Sequence, residues 1–185
     1  IAVGMGARVT VLDVNIDALT KLHNLFPDKI ETLYSNPLNI DEAVSGADLV
    51  ISTVLIPGRR APQLVKVDTV KKMKEGSVVV DVAIDQGGST DITKDHATSH
   101  TDPVFNKYGV IFYAVANIPG AVAMTSTYAL SNATTLYAKA IGKDGLKAAV
   151  EKFPELKSGI NLYDGKVVLE SIAEDTGHEL AELNL

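Results

Sequence analysis

Short apolar runs rich in valine and isoleucine alternate along this chain with segments whose apolar residues recur at a helical period. Parallel strands buried on both faces by crossover helices produce this pattern, because such strands have no side that faces water. The pattern therefore predicts an α/β fold with a doubly wound, mostly parallel sheet. The predicted strands are residues 8–13, 30–33, 48–54, 77–82 and 110–114.

Residues with side-chain oxygens mark where the intervening helices begin, since such side chains cap free backbone amides. We expect Asn15 or Asp17 to cap the first helix, Asn39 and Asp41 to open the second, and Asp68 to open the third. The inward stripe expected for the first helix is Ile16, Leu19, Leu22 and Phe26.

The pattern changes in the last third of the chain, where no strand run of comparable strength follows. We predict helices at 126–141, 144–153 and 167–182, with a turn at Asp164–Gly165. The prediction is therefore a sheet domain at 1–120 and a helical segment at 121–185, which packs on that domain or on a second one.

Composition narrows the classes of partner. The 185 residues include 17 basic and 23 acidic side chains, for a net charge of -6, and no cluster of Lys and Arg with interleaved aromatics, which argues against nucleic acid. The absence of cysteine rules out disulfides and thiolate metal sites and fits a reducing cytoplasm. No apolar run reaches the roughly 18 residues of a membrane span. We expect a cytoplasmic protein that binds neither nucleic acid nor membrane.

The first predicted strand ends in Asp13. Doubly wound folds use an acidic residue at this position to bind adenosine ribose hydroxyls, with a glycine-rich phosphate loop about 20 residues earlier. That loop would lie before Ile1, so we interpret Gly4 and Gly6 as glycines that end its helix. A carboxylate here would repel a 2′-phosphate, which favours NAD over NADP. The alternative is an aspartate that only enters a turn.

Two further strand ends carry candidate site residues. Val54 and Leu55 lead into a Pro-Gly turn, and Asp85 precedes two glycines. Because ligands of open α/β sheets bind beyond the carboxyl ends of the strands, these residues are candidates for a cofactor cleft. Ordinary packing is the alternative for Val54 and Leu55. Asp81, inside its strand, is predicted to be a structural, hydrogen-bonded carboxylate.

Segments spread in order along the whole chain resemble the alanine dehydrogenase family. They are residues 4–13, 56–65, 81–88, and 115–122 followed by 125–130. The resemblance implies a Rossmann-like fold, truncated at its N-terminus, that binds NAD. It also implies NAD-dependent oxidative deamination of L-alanine to pyruvate and ammonia in the complete enzyme, which would be a homo-oligomer.

The same resemblance assigns roles to individual residues, with Asp85 as the catalytic carboxylate. The implied cofactor-binding positions, from the adenine end to the nicotinamide end, are Asp13, Ser35, Val54, Leu55, Ile84, Asp85, Val115 and Asn117. The family's substrate-binding Arg and Lys and its catalytic His belong to an N-terminal domain outside these residues. We therefore expect this chain alone to be inactive toward alanine.

Two rival interpretations of the function of the chain remain open. The NAD-binding domain of a proton-pumping transhydrogenase shares the fold and the Ala-Pro-x-Leu segment, although the Ile84-Asp85-Gln86 sequence favours the dehydrogenase. A catalytically silent module for NAD binding or assembly is the other, because the pyrophosphate loop is not among these residues.

Overall fold

The computed structural model describes residues 1–185, which form two compact units. The first unit contains Ile1–Val54 and Pro62–Ala116. The second contains Leu55–Ala61 and Asn117–Leu185.

The strands of the first unit form two sheets. Strands β1 (Val9–Asp13) and β2 (Ile30–Tyr34) pair in parallel. The second sheet has the order β3-β4-β6-β5, and β3, β4 and β6 run parallel. Its strands are β3 (Leu49–Ser52), β4 (Val78–Asp81), β5 (Val104–Lys107) and β6 (Val110–Tyr113). The predicted mostly parallel α/β architecture and all five predicted strands are confirmed.

Strand β5 was not predicted, and it is the one antiparallel member of its sheet. A two-residue turn joins it to β6, with Tyr108 at φ 57° and Gly109 at φ 79°. Two consecutive residues of positive φ are the signature of the tight turns that suit hairpins. The sequence signal was weak because Asn106 and Lys107 limit the apolar run of this strand to Val104 and Phe105.

Three helices connect the strands of the first unit: α1 (Ile16–Leu25), α2 (Pro37–Ser45) and α3 (Val67–Val70). Asn15 caps α1 as predicted, its side chain accepting a hydrogen bond from the Ala18 amide. The predicted stripe was wrong in part, because only Leu19 is buried and Ile16 and Phe26 are exposed.

The predicted starts of the other two helices were also wrong. Helix α2 begins three residues earlier than expected, because Asn36 caps it and Pro37, with its fixed φ, occupies the first turn. In α3 the carboxylate of Asp68 bonds the Lys71 ammonium rather than capping, and Lys66 precedes the helix without a side-chain cap.

The core of the first unit lies between the four-stranded sheet and helices α2 and α3. Eight buried residues form it: Ile40, Val44, Val65, Val70, Met73, Val79, Val110 and Phe112. Leu12 of β1 and Val50 of β3 are partly buried and pack against this cluster. Burial of these β-branched and aromatic side chains fixes which residues of β4 and β6 point inward.

The second unit is mainly helical. Helix α4 (Ala123–Lys152) covers both helices predicted at 126–141 and 144–153, and its break at Gly145, where φ is 79°, falls at the second residue of the second one. The turn at Asp164–Gly165 joins β7 (Leu162–Tyr163) to β8 (Lys166–Val167), as expected for two residues of positive φ.

The predicted final helix at 167–182 was too long. Val167 belongs to β8, and helix α5 (Glu170–Thr176) ends at Gly177, whose φ of 69° stops the helix. None of the helices in the chain is long and apolar enough to cross a membrane.

Candidate functional site

The carboxyl ends of three parallel strands meet at one edge of the four-stranded sheet. Ser52 of β3 lies opposite Asp81 of β4, and Val80 lies opposite Tyr113 of β6. Since the strands run parallel, the residues that follow them emerge at the same edge. This edge is where open α/β sheets bind ligands, and it brings together residues 53–54, 82–86 and 114–115.

The opposite edge is occupied by surface ion pairs. Asp48, just before β3, accepts a hydrogen bond from the Lys74 ammonium at 2.8 Å, and this bond lowers the pKa of the Asp48 carboxyl. On α2, hydrogen bonds from Lys72 and then from Thr69 lower the pKa of Asp41. These carboxylates are satisfied by lysines of the chain.

At the carboxyl edge, by contrast, the side chain of Asp85 is exposed and has no partner within the chain. It lies in a 3-10 turn, Val82–Gln86, that leaves β4 directly and ends at Gly87 with φ 94°. The Gly87 amide donates to the Ile84 carbonyl and the Gly88 amide donates to the Ala83 carbonyl, which closes the turn. An unpartnered carboxylate at a ligand-binding edge can orient a bound hydroxyl or accept a proton.

Asp81 begins this turn and is completely buried. Its Oδ1 accepts hydrogen bonds from the Ala83 amide at 3.1 Å and the Ser89 hydroxyl at 2.8 Å. Its Oδ2 accepts from the Ser89 amide at 2.7 Å and from the Thr93 hydroxyl. The prediction of a structural, hydrogen-bonded carboxylate is therefore confirmed.

Sequence reasoning missed the partners of Asp81. Ser89, Thr90 and Thr93 are fully buried, although they belong to a polar stretch. The Thr90 and Thr93 hydroxyls lie 2.8 Å apart, and the Thr93 amide donates to the Thr90 hydroxyl at 2.9 Å. Hydroxyls that bond neighbouring amides are common in short turns, so the spacing Thr-x-x-Thr was the available signal.

The other predicted residues of the first unit differ in what they can offer a ligand. Ile84 is 5% exposed and Val115 is 2% exposed, so their side chains belong to the core. Only their backbone atoms are available at the edge. Val54, which follows β3, is half-buried.

The two-stranded sheet carries the other predicted contacts of this unit. Asp13 ends β1 opposite Tyr34, and the Ser35 amide donates to the Asp13 carbonyl at 2.9 Å. The Oδ1 atom of Asp13 accepts from the Asn15 amide at 2.8 Å, which leaves Oδ2 without a partner in the chain. The carboxylate both enters the turn and keeps one oxygen for a ligand, so the two interpretations of Asp13 are compatible.

Leu55 and Asn117 belong to the second unit. Leu55 is 64% exposed and begins the segment 55–61, which is attached to helix α5. The Arg59 guanidinium pairs with Glu174, and the Arg60 amide donates to the Asp175 carboxylate at 3.0 Å. Asn117 precedes a 3-10 turn, Ile118–Val122, and its carbonyl accepts from the Gly120 amide.

Comparison with known proteins gives a consistent result. The family model described as alanine dehydrogenase/PNT, C-terminal domain, matches residues 1–170. An alanine dehydrogenase of Methanococcus maripaludis is 55% identical over 97% of this chain and 48% of its own length. One of Bacillus subtilis is 52% identical over 96% of this chain and 47% of its own length. The chain thus spans about half the length of the curated relatives it matches.

Solved structures agree with these matches. An L-alanine dehydrogenase superposes with a TM-score of 0.78 at 44% identity, over 95% of this chain and 48% of that one. A transhydrogenase from Sinorhizobium meliloti superposes with a TM-score of 0.57 at 28% identity, over 89% of this chain and 43% of that one. The family model, the curated relatives and the solved L-alanine dehydrogenase thus indicate the same family.

Proposed function

Because the chain belongs to the alanine dehydrogenase/PNT C-terminal domain family, we propose that it forms the NAD-binding half of an enzyme that oxidatively deaminates L-alanine. The observation that carries the proposal is the unpartnered Asp85 at the carboxyl edge of three parallel strands. In the whole protein, L-alanine, NAD and water would yield pyruvate, ammonium, reduced NAD and a proton.

The adenosine end of the cofactor would be bound at β1 and β2. The free Oδ2 of Asp13 would accept hydrogen bonds from the ribose hydroxyls, and the adjacent Ser35 would border the adenine. The Asp13 carboxylate would repel the 2′-phosphate of NADP. We therefore propose NAD as the cofactor of the whole protein.

The nicotinamide end would lie at the carboxyl edge of the four-stranded sheet. Ile84 and Val115 are buried, so they would contribute backbone atoms and a rigid support rather than side-chain contacts. Val54 would flank the cofactor beside them, and the resemblance assigns Leu55 and Asn117 to the same cofactor. When bound, NAD supplies the hydride acceptor for the alanine α-carbon.

Asp85 would act on the substrate side of the reaction. Its exposed carboxylate would orient the nicotinamide ribose and the water that replaces ammonia, and it would accept a proton from that water. The water contributes the keto oxygen of pyruvate, and the amino group leaves as ammonia. Residues that bind the alanine carboxylate would come from the remaining half of the protein, so this chain alone would not turn over alanine.

Titration calorimetry of this chain with NAD tests the cofactor site. Asp13→Asn removes charged hydrogen bonds worth about 1.5 to 3 kcal/mol, so the Kd for NAD should rise roughly ten- to hundredfold. The matched control is Glu31→Gln, which removes an exposed carboxylate that bonds Thr10 within the two-stranded sheet. Equal affinities of the chain for NAD and NADP would contradict the role of Asp13.

The reaction itself can be tested with a fusion in which the N-terminal half of the Bacillus subtilis relative precedes these 185 residues. We expect alanine-dependent formation of reduced NAD, and Asp85→Asn should lower kcat on the order of a hundredfold or more. A fusion that binds NAD without oxidising alanine would favour the silent module. Hydride exchange between NAD and NADP pools would favour the transhydrogenase.

Homo-oligomeric assembly and a cytoplasmic location are further proposals, which rest on the family resemblance. Sedimentation of the longer protein would test the first, and cell fractionation would test the second.

A further inference from the structure

The carboxylate of Asp81 holds both ends of the loop that carries Asp85. The loop leaves β4 at Asp81, and the first bond back to this side chain comes from the Ala83 amide. Residues 82–93 then turn through Gly87 and Gly88 and return, so that Ser89 and Thr93 also bond the same carboxylate. One buried side chain therefore closes a loop of twelve residues.

All partners of this carboxylate are neutral. Two are backbone amides and two are hydroxyls, and no lysine, arginine or histidine contacts Asp81. The position of the carboxylate thus depends on the loop, and the path of the loop depends on the carboxylate. Interior side-chain networks of this kind specify a single arrangement when every member is satisfied.

We propose that Asp81 is the positioning residue for Asp85. It fixes the turn Val82–Gln86 in the position where the carboxylate of Asp85 contacts the cofactor. The inference rests on the proposed function, because that function gives Asp85 a cofactor to contact. Asp81 has no exposed surface and cannot touch the cofactor itself. Its effect is transmitted through Ala83. The Ala83 amide donates a hydrogen bond to Asp81, and the Ala83 carbonyl accepts one from the Gly88 amide, which closes the turn that carries Asp85.

The substitution Asp81→Asn tests this assignment because it preserves side-chain shape. An amide can keep its oxygen toward the Ala83 amide and the Ser89 hydroxyl, but its NH₂ group then faces the Ser89 amide, which is also a donor. The loss therefore falls on the return of the loop rather than on the pairing of β4. Thr93→Val removes one hydroxyl donor at nearly constant volume and gives a milder version of the same change.

We would measure the Kd values of NAD and of AMP by calorimetry on the fusion of the N-terminal half of the Bacillus subtilis relative with these 185 residues. AMP probes the adenosine end at Asp13, whereas NAD also requires the nicotinamide end at Asp85. Asp81→Asn should weaken NAD binding roughly tenfold while AMP binding changes less than about twofold, which corresponds to one well-placed hydrogen bond at the nicotinamide end. Thr93→Val should give a smaller rise in the NAD value.

Ser77→Ala is the matched control. Ser77 is also buried next to β4, and its hydroxyl donates to the Ala47 carbonyl at 3.2 Å. Its loss should lower thermal stability without changing the ratio of the NAD and AMP constants. If Asp81→Asn lowers stability and also leaves that ratio unchanged, Asp81 is only a core residue and the proposal is overturned.

Amide hydrogen exchange supplies a measurement that does not need the cofactor. Asp81→Asn should accelerate exchange at Gly88 and Ser89 by roughly tenfold relative to Ser77→Ala, because both amides depend on the closed loop. If the fusion with the N-terminal half of the Bacillus subtilis relative binds no NAD, the proposed function fails, and the exchange result still decides the role of Asp81. Unchanged exchange at Gly88 and Ser89 in both Asp81→Asn and Thr93→Val would refute the positioning role of Asp81.

Discussion

Gly88 offers the sharpest test of whether close packing shapes the Asp85 loop. Its φ is 82°, and a Cβ atom added there would lie 2.8 Å from the Thr93 carbonyl oxygen and 3.1 Å from the Thr93 hydroxyl. Backbone atoms cannot rotate away as the end of a flexible side chain can. Gly88→Ala must therefore displace the loop at Thr93, whose hydroxyl bonds Asp81.

The magnitude follows from two separable costs. A non-glycine residue in the left-handed region costs about 1 to 2 kcal/mol, partly offset by about 0.4 to 1 kcal/mol from the reduced entropy of the unfolded chain. Forcing an extra methyl into a packed site adds about 1 to 3 kcal/mol. We expect Gly88→Ala to lower the free energy of unfolding by about 1 to 4.6 kcal/mol.

Gly76→Ala isolates the first cost. Gly76 has nearly the same φ, 84°, but a Cβ there meets nothing within 4 Å. It should cost about 0 to 1.6 kcal/mol, which is the left-handed penalty less its entropic offset. Equilibrium unfolding in urea of both variants gives the comparison, with the slope on denaturant checked for constancy. Equal losses for the two variants would refute the packing argument, since both positions carry the same backbone penalty.

Three further outcomes are expected. Val79→Ala, in the fully buried core of β4, should cost about 2 kcal/mol in urea unfolding, whereas Val104→Ala on the exposed edge strand should cost under about 0.5 kcal/mol. Asp41→Asn should lower the melting temperature at pH 7, because hydrogen bonding to Lys72 lowers the folded pKa of Asp41 below its unfolded value near 3.8. The contribution is fully present above pH 3.8 and is lost as pH falls through the folded pKa, so the difference from the unmodified chain should shrink steadily below pH 3.8. A difference that stays constant as the pH falls below 3.8 would contradict this. A Cβ atom at Gly58 would clash with the Ser171 hydroxyl. Gly58→Ala should therefore lower the free energy of unfolding by about 1 kcal/mol more in the unmodified chain than in a Ser171→Ala background. A double-mutant cycle that shows no coupling between the two positions would contradict the contact.

The sheet of this chain was predictable because its strands are short, β-branched and buried. Five such runs appear in order, and each one forms a strand within two residues of its predicted ends. The helix boundaries were less predictable, because several side chains can cap. Asn36 caps α2, and not Asn39, because Pro37 favours the first helical turn. Asn39 was the expected cap because, with Asp41, it is the polar residue nearest to the apolar part of the helix.

The sequence predicts a location for the candidate site, but it does not predict the direction of each side chain. Strand ends and glycines indicate Asp85 at the carboxyl edge of the four-stranded sheet and Asp13 at the carboxyl end of β1 in the two-stranded sheet. Ile84 also follows β4, but the 3-10 turn directs its side chain into the core while Asp85 stays outside. A strand alternates its side chains, whereas a 3-10 turn places them about 120° apart, so register beyond Asp81 could not be extrapolated.

The two aspartates at the end of β4 show how one short segment can separate support from chemistry. Asp81 and Asp85 are four residues apart, yet one is fully buried with four donors and the other is exposed with none. A carboxylate whose acceptor sites are filled by fixed donors is poorly suited to binding a ligand or accepting a proton, while an unpartnered one is suited to both. The turn between them is short enough that moving the first must move the second. We therefore expect substitutions at position 81 to change how well NAD is oriented, and substitutions at position 85 to change the reaction itself.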